Sequence, residues 1–209
     1  MSEVVVINHV TLDGVMQGPG RPDEDTRDGF ADGGWSAPTV DGAMQDAVYS
    51  RVAEAGGLRL LLGRRSYEGM LGYWNTQDSP FKDGLNNAPK YVASTTLREP
   101  LPWPNSTLLR GDAADAVAAL KRKPDNDLVV MGSGELIQTL MRHDLVDEYM
   151  LLVHPRVLGS GRRLFPAGGA PAPLHLVSSR TSTTGALITA YRRQAGPPDP
   201  SRRAPSSSA

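Results

Sequence analysis

Three short stretches place anion-compatible groups directly after strand-like apolar runs. "LRLLLGRRSYEGM" (58–70) passes from an apolar segment into Gly63 and then Arg64, Arg65 and Ser66. "LVVMGSGELIQTLM" (128–141) repeats that grammar with Gly132, Ser133, Gly134, Glu135 and Leu136. "KYVASTT" (90–96) ends in the hydroxyls of Ser94, Thr95 and Thr96. Glycine lets a phosphate approach the backbone, and the first turn of a helix offers free N–H groups at the positive end of its dipole. Two arginines at such a helix start oppose the dipole by roughly a few tenths of a kcal/mol. A bound anion reverses that sign, because guanidinium makes charge-assisted, forked hydrogen bonds to phosphate. Each stretch also has a plainer reading: a solvated basic pair, or Ser133 acting only as an N-cap. Together they fit one nucleotide lying across the carboxyl edge of a parallel sheet.

Other chemistries are excluded or weakened. The glycines at 132–134 are not a dinucleotide fingerprint, since Ile137 stands where a third glycine belongs and Met150–Val153 where an acidic residue is wanted. No serine lies in a G-x-S-x-G elbow and no G-x-x-x-x-G-K-[ST] occurs. His9, His143, His154 and His175 are scattered without helix-spaced pairs, and there is no cysteine, so no metal site is expected.

The elements that must position these groups are legible as a series of short apolar runs. Strands are expected at 4–10, 59–62, 91–94, 107–109, 128–131, 149–154, 174–179 and 186–191, several of them continuous, as suits strands buried on both faces. Helices are expected over 41–55, over 113–123 behind an Asp112 cap, and after Gly134, where Leu136, Ile137, Leu140, Met141 and Leu145 form one stripe. Alternation of strand and helix over the first two-thirds predicts a largely parallel sheet flanked by helices. The last three strands lack intervening helices, which predicts an antiparallel extension with a turn at Thr184-Gly185. The Gly/Pro/Asp-rich stretch 17–35 reads either as a functional lid or as a disordered insert. Residues 195–209 form a Pro/Ser tail expected to be disordered, leaving one domain over 1–194.

The 209 residues, 39% apolar and 22% charged, suit one large globular domain. With 22 basic against 23 acidic residues and a formal charge of −1, no nucleic-acid or membrane-surface partner is indicated. The apolar runs are too short to span a bilayer and the N-terminus lacks a signal-peptide pattern, so a cytoplasmic protein is expected.

"VTLDGVMQG", "LLGRRSYEGM", "PKYVAST", "VMGSGELIQTLM" and "LVDEYMLLVHPRVLGSGRRLF" occur in the order and spacing of the dihydrofolate reductase-like family. The chain resembles in particular the C-terminal reductase domain of bacterial riboflavin-biosynthesis enzymes and its stand-alone relatives, from about residue 4 to residue 193. The resemblance implies a single α/β domain with a mainly parallel, eight-stranded sheet ending in antiparallel strands, and NADPH as hydride donor. By motif position, Gly63, Arg64, Arg65 and Ser66 would hold the 2′-phosphate and pyrophosphate. Ser94 and Thr95 would lie beside the adenosine. Gly132, Ser133, Gly134, Glu135 and Leu136 would wrap the pyrophosphate and nicotinamide. It also implies a homodimer, and a lid over the substrate running from Gly14 to Trp35.

Asp13, in the "TLDG" element, is then the first candidate to protonate or polarise a small heterocyclic, pterin- or pyrimidine-like substrate. Asn8, Asp41 and Asp46 are further candidates for the substrate site, and Trp35 either stacks on the substrate or fills the core. Between Thr11 and Ala55 only Arg21, Arg27 and Arg51 occur, which gives no basic cluster for a substrate phosphate. A non-catalytic NADP(H)-binding protein on the same fold is the rival reading.

Overall fold

The structure is a computed structural model that describes residues 1–169 and 171–194. The expected tail at 195–209 lies outside the described residues. In chain order the strands are β1 (Val4–Thr11), β2 (Leu60–Gly63), β3 (Lys90–Ala93), β4 (Ser106–Leu109), β5 (Leu128–Met131), β6 (Glu148–His154), β7 (Leu174–Thr181) and β8 (Leu187–Arg193). The helices are α1 (Gly42–Glu54), α2 (Arg64–Trp74), α3 (Pro80–Asn87), α4 (Ala113–Lys121) and α5 (Gly134–Arg142).

All eight expected strands form one sheet in the order β4-β3-β2-β5-β1-β6-β8-β7. Neighbours are parallel from β4 through β6, and β8 runs antiparallel to both β6 and β7. This is the dihydrofolate reductase-like α/β arrangement. Two details differ from the sequence expectation. The segment 94–105 carries the chain from β3 to a parallel β4 without a helix. α3 had not been anticipated, although Ser79-Pro80 is a helix-start signal: the Ser79 side chain accepts from Lys82 N, and Pro80 needs no donor in the first turn.

Alternation along β1 divides the core between the two faces. Val4, Val6 and Val10 pack with Val117 and Leu120 of α4 and with Leu136, Ile137 and Leu140 of α5. Val5 and Ile7 pack the other way, against Met44 and Ala47 of α1. On that second face Tyr67 and Leu71 of α2 cover Leu60 and Leu62. β1, β2, β3 and β5 therefore end side by side, and their carboxyl ends are where the chemistry-bearing residues emerge.

The stretch 17–35 is an ordered loop, not a disordered insert. Trp35 Nε1 donates to Gln17 O at 2.7 Å, Gln17 Nε2 reaches Asp25 O and Arg27 O, and Gly34 N donates to Gly18 O at 2.8 Å. It is tied to the loop after β6 by Arg162 N to Gln17 Oε1 at 2.9 Å and by Met16 N to Arg162 O at 2.9 Å.

Candidate cofactor and substrate cleft

Local sequence decides which helix starts stay open. The first turns of α1, α3 and α4 are each closed by a side chain, from Asp41, Ser79 and Asp112. α2 and α5 have no side-chain cap. At α2 the cap position is Gly63, which has no side chain to offer. At α5 it is Ser133, held in the left-handed region at φ 67° and ψ 49°, where its hydroxyl turns away from its own helix. Ser133 Oγ instead accepts from Gly63 N at 2.8 Å and so ties one open helix start to the other. Gly132, at φ 70°, lies close enough that an added Cβ would stand 3.2 Å from Ser66 Oγ. Its N–H donates to Asn8 Oδ1 at 2.9 Å.

These two starts open on a cleft of about 1880 Å³. Ligand pockets commonly run to about 300–1,000 Å³, so this volume can take a dinucleotide and a second ring. Every residue expected to hold the cofactor borders it: Gly63, Arg64, Arg65, Ser66, Ser94, Thr95, Gly132, Ser133, Gly134, Glu135 and Leu136. Arg64 pairs at 3.1 Å with Glu68 one turn on, an exposed contact of small net worth that a phosphate can replace. Arg65 is exposed and makes no ion pair among the described residues. Glu135, 80% exposed, reaches Arg27 at 3.6 Å and Arg162 at 3.3 Å, bracing the start of α5 against both covering loops. The residues present therefore fit a phosphate-bearing dinucleotide.

The cleft continues beneath α1 as a recess lined by Ile7, His9, Val40, Met44, Val48 and Leu152. Of the expected substrate residues only Asn8 borders the cleft, and its amide is engaged with Gly132 N and lies 3.6 Å from Met16 Sδ.

The other four do not line the cleft. Asp13 turns towards the loop after β6, accepting from Thr11 Oγ1 at 2.6 Å, Gly159 N at 2.9 Å and Leu158 N at 3.2 Å, with Arg163 at 3.4 Å. Thr11 foremost, then the backbone donors, hold its carboxyl down at about 2, so it is an ionised clamp and no proton donor. Trp35 is 2% exposed and packs with Val15 and Phe30, its indole N–H spent on Gln17 O; it fills the core instead of stacking on a ligand. Asp41 caps α1 through Met44 N and ties it to Thr183 N and Oγ1. Asp46 lies on the exposed side of α1.

Sequence reasoning missed a basic group built from two loops. Arg21 and Arg27 from the loop after β1 border the cleft together with Arg162 and Arg163 from the loop after β6. Arg21 lies over the Tyr73 ring at 4.1 Å, and Arg27 and Arg162 meet at Glu135. These pairs are more than a hundred residues apart in sequence, so nothing in local spacing announced them. His9 was seen, but its partner was not: its Nδ1 lies 2.8 Å from His154 Nε2.

Comparison with known proteins agrees with this architecture. The model of the RibD C-terminal domain matches residues 3–188. The Bacillus subtilis protein YyaP is 30% identical over 138 residues, 63% of this chain and 72% of that protein. A putative riboflavin biosynthesis protein from a Shewanella species superposes with a TM-score of 0.65 at 22% identity, covering 92% of this chain and 99% of that one. Dihydrofolate reductase from Enterococcus faecalis, complexed with NADP(H) and RAB-propyl, superposes with a TM-score of 0.56 at 13% identity, covering 91% and 96%. With the match spanning nearly all of the described residues, the chain belongs to the RibD C-terminal domain family and carries its reductase-type fold.

Proposed function

We propose that the protein is an NADPH-dependent reductase that transfers hydride to a small heterocyclic, pterin- or pyrimidine-like substrate. The observation that carries this reading is the pair of adjoining helix starts, α2 and α5, left without side-chain caps beside Arg64 and Arg65. Their first-turn N–H groups suit a pyrophosphate, and the two guanidinium groups suit a ribose 2′-phosphate. Ser94 and Thr95 would face the adenosine end, and Gly132 to Leu136 the nicotinamide side. When bound, the reduced nicotinamide supplies the hydride; the chain's own part is to orient the two rings and exclude water. The loop 17–35 and the loop after β6, braced through Glu135, perform that exclusion. The likeness to a dihydrofolate reductase complexed with NADP(H) supports the same cofactor here.

One observation favours the rival, a non-catalytic NADP(H)-binding protein: Asp13 does not face the cleft. The continuation of the cleft past Ile7, His9, Met44 and Leu152, beyond the residues expected to hold the cofactor, favours the enzyme. Oxidation of NADPH followed spectroscopically against a panel of pterins and pyrimidines separates them. The reductase reading expects turnover with at least one ring class. Tight NADPH binding with no turnover across the panel establishes the binding protein instead.

We further propose a homodimer. β7 is an edge strand exposed along nearly its whole length, and Leu176, Val177 and, on β8, Leu187 are 52%, 53% and 42% exposed. A partner chain would cover both the strand edge and these side chains.

A further inference from the structure

The recess under α1 contains one polar device that the cofactor reading does not use. Thr39, His154 and His9 form a hydrogen-bonded row: Thr39 Oγ1 lies 2.5 Å from His154 Nδ1, and His154 Nε2 lies 2.8 Å from His9 Nδ1. One assignment of the protons along the row follows from its outer end. Ser36 O, a carbonyl that can only accept, lies 3.1 Å from Thr39 Oγ1; with the single hydroxyl proton given to it, Thr39 accepts from His154. In that arrangement His154 carries its proton on Nδ1, and its Nε2 accepts from His9 Nδ1–H. That leaves His9 Nε2 as a bare acceptor without a protein partner among the described residues. Burial first, and then the neighbouring His154, push the His9 imidazole down to about 4; burial and Arg156 do the same to His154. Both rings are neutral at physiological pH. Trp35 closes edge-on against His154, with ring centres 5.3 Å apart, and confines its rotation.

His9 shares the face of β1 that carries Ile7, and around it the recess wall is Val40, Met44, Val48 and Leu152. The polar side chains of α1 on that wall, Gln45 and Tyr49, are exposed. A single acceptor within an otherwise apolar slot orients a flat ring by pairing with one of its N–H groups, and it penalises a ring that lacks one.

We propose that His9 is the specificity-determining residue of the substrate site: its Nε2 accepts a hydrogen bond from a ring or exocyclic N–H of a planar heterocycle, and His154 and Thr39 are positioning residues that hold it in the acceptor form. This rests on the recess being the substrate end of the cleft.

The direct test has two arms. In the 15N-resolved histidine spectrum of the intact protein, His9 is expected to show a protonated, pyrrole-type Nδ1 and a bare, pyridine-type Nε2. The reverse tautomer overturns the proposal. In the second arm 2,4-diaminopyrimidine and its tetra-N-methyl analogue, which has no N–H, are titrated in the presence of NADPH. The wild type is expected to prefer the diamine by about tenfold, the worth of one well-made hydrogen bond. His9→Phe, which keeps a flat aromatic ring but removes both ring nitrogens, is expected to erase that preference. Thr39→Val is expected to mix the His9 tautomers and reduce the preference, with Thr39→Ser restoring both. Equal affinity of the wild type for the two pyrimidines, or no binding of either, overturns the assignment. The NADPH-induced thermal shift of the wild type is read separately, so the cofactor site can stand while the His9 assignment falls.

Discussion

Gly132 shows how one residue serves both fold and site. At φ 70° it occupies backbone space that costs other residues about 1–2 kcal/mol, and an added Cβ would press on Ser66. Gly132→Ala should therefore lower stability by about that amount and weaken NADPH binding, because the two helix starts must separate; chemical denaturation and a cofactor titration report the two effects. Arg65, exposed and without an ion pair among the described residues, should behave differently. Arg65→Ala is expected to cost about tenfold in NADPH affinity with little change for NADH, as loss of one charge-assisted contact to the 2′-phosphate requires. Equal loss for both nucleotides would reject that role. Among single residues, those expected to hold the cofactor all border one cleft, whereas Asp13, Trp35, Asp41 and Asp46 do not border it. A glycine or arginine at a strand-to-helix junction advertises its place, because the junction fixes where it points. A carboxylate such as Asp13 does not, because the partners that turned it away, Leu158 and Gly159, lie in a distant loop.

α1, α3 and α4 are capped by side chains, whereas α2 and α5 are not. A carboxylate placed at the start of α5 would occupy the ground reserved for a ligand anion. Ser133→Asp is expected to weaken NADPH binding by more than tenfold, because it sets a like charge at the junction of the two open helix starts. An unchanged dissociation constant would show that α5 does not face the cofactor phosphates. All eight strands and four of the five helices were readable, the strands from short apolar runs and the helices from apolar stripes or a strand-to-helix junction. The helix-free connection from β3 to β4 was not, since alternation of strand and helix is a habit of parallel sheets and not a requirement. α3 was missed because eight residues, with a single buried leucine, leave little periodic signal. The loop 17–35 was identified as a lid or an insert by composition. Its order comes from backbone bonds through Gln17, Trp35 and Gly34, which composition cannot reveal.

For the whole molecule, the hydrogen-bonded histidine pair sets an acid limit. His9 and His154 titrate near 4 in the folded chain but at the ordinary 6.5 when unfolded. Above 6.5 neither state is protonated at these rings and their neutral burial costs nothing. As pH falls from 6.5 towards 4 only the unfolded chain takes up protons, so stability drops by on the order of a few kcal/mol and then levels. Melting temperature measured from pH 7 down to pH 4 should follow that curve, and a His9→Phe, His154→Phe double variant should flatten it. The proposed dimer has its own test: light scattering should give twice the chain mass, and Leu176→Lys should shift it towards the monomer.

If the paired helix starts of α2 and α5 form an NADPH site, a thermal-shift titration with NADPH, NADH and buffer alone reports it. NADPH at a hundred times its dissociation constant should stabilise the protein by about 2.7 kcal/mol, with a smaller effect from NADH at the same concentration. No shift with millimolar NADPH would rule that site out.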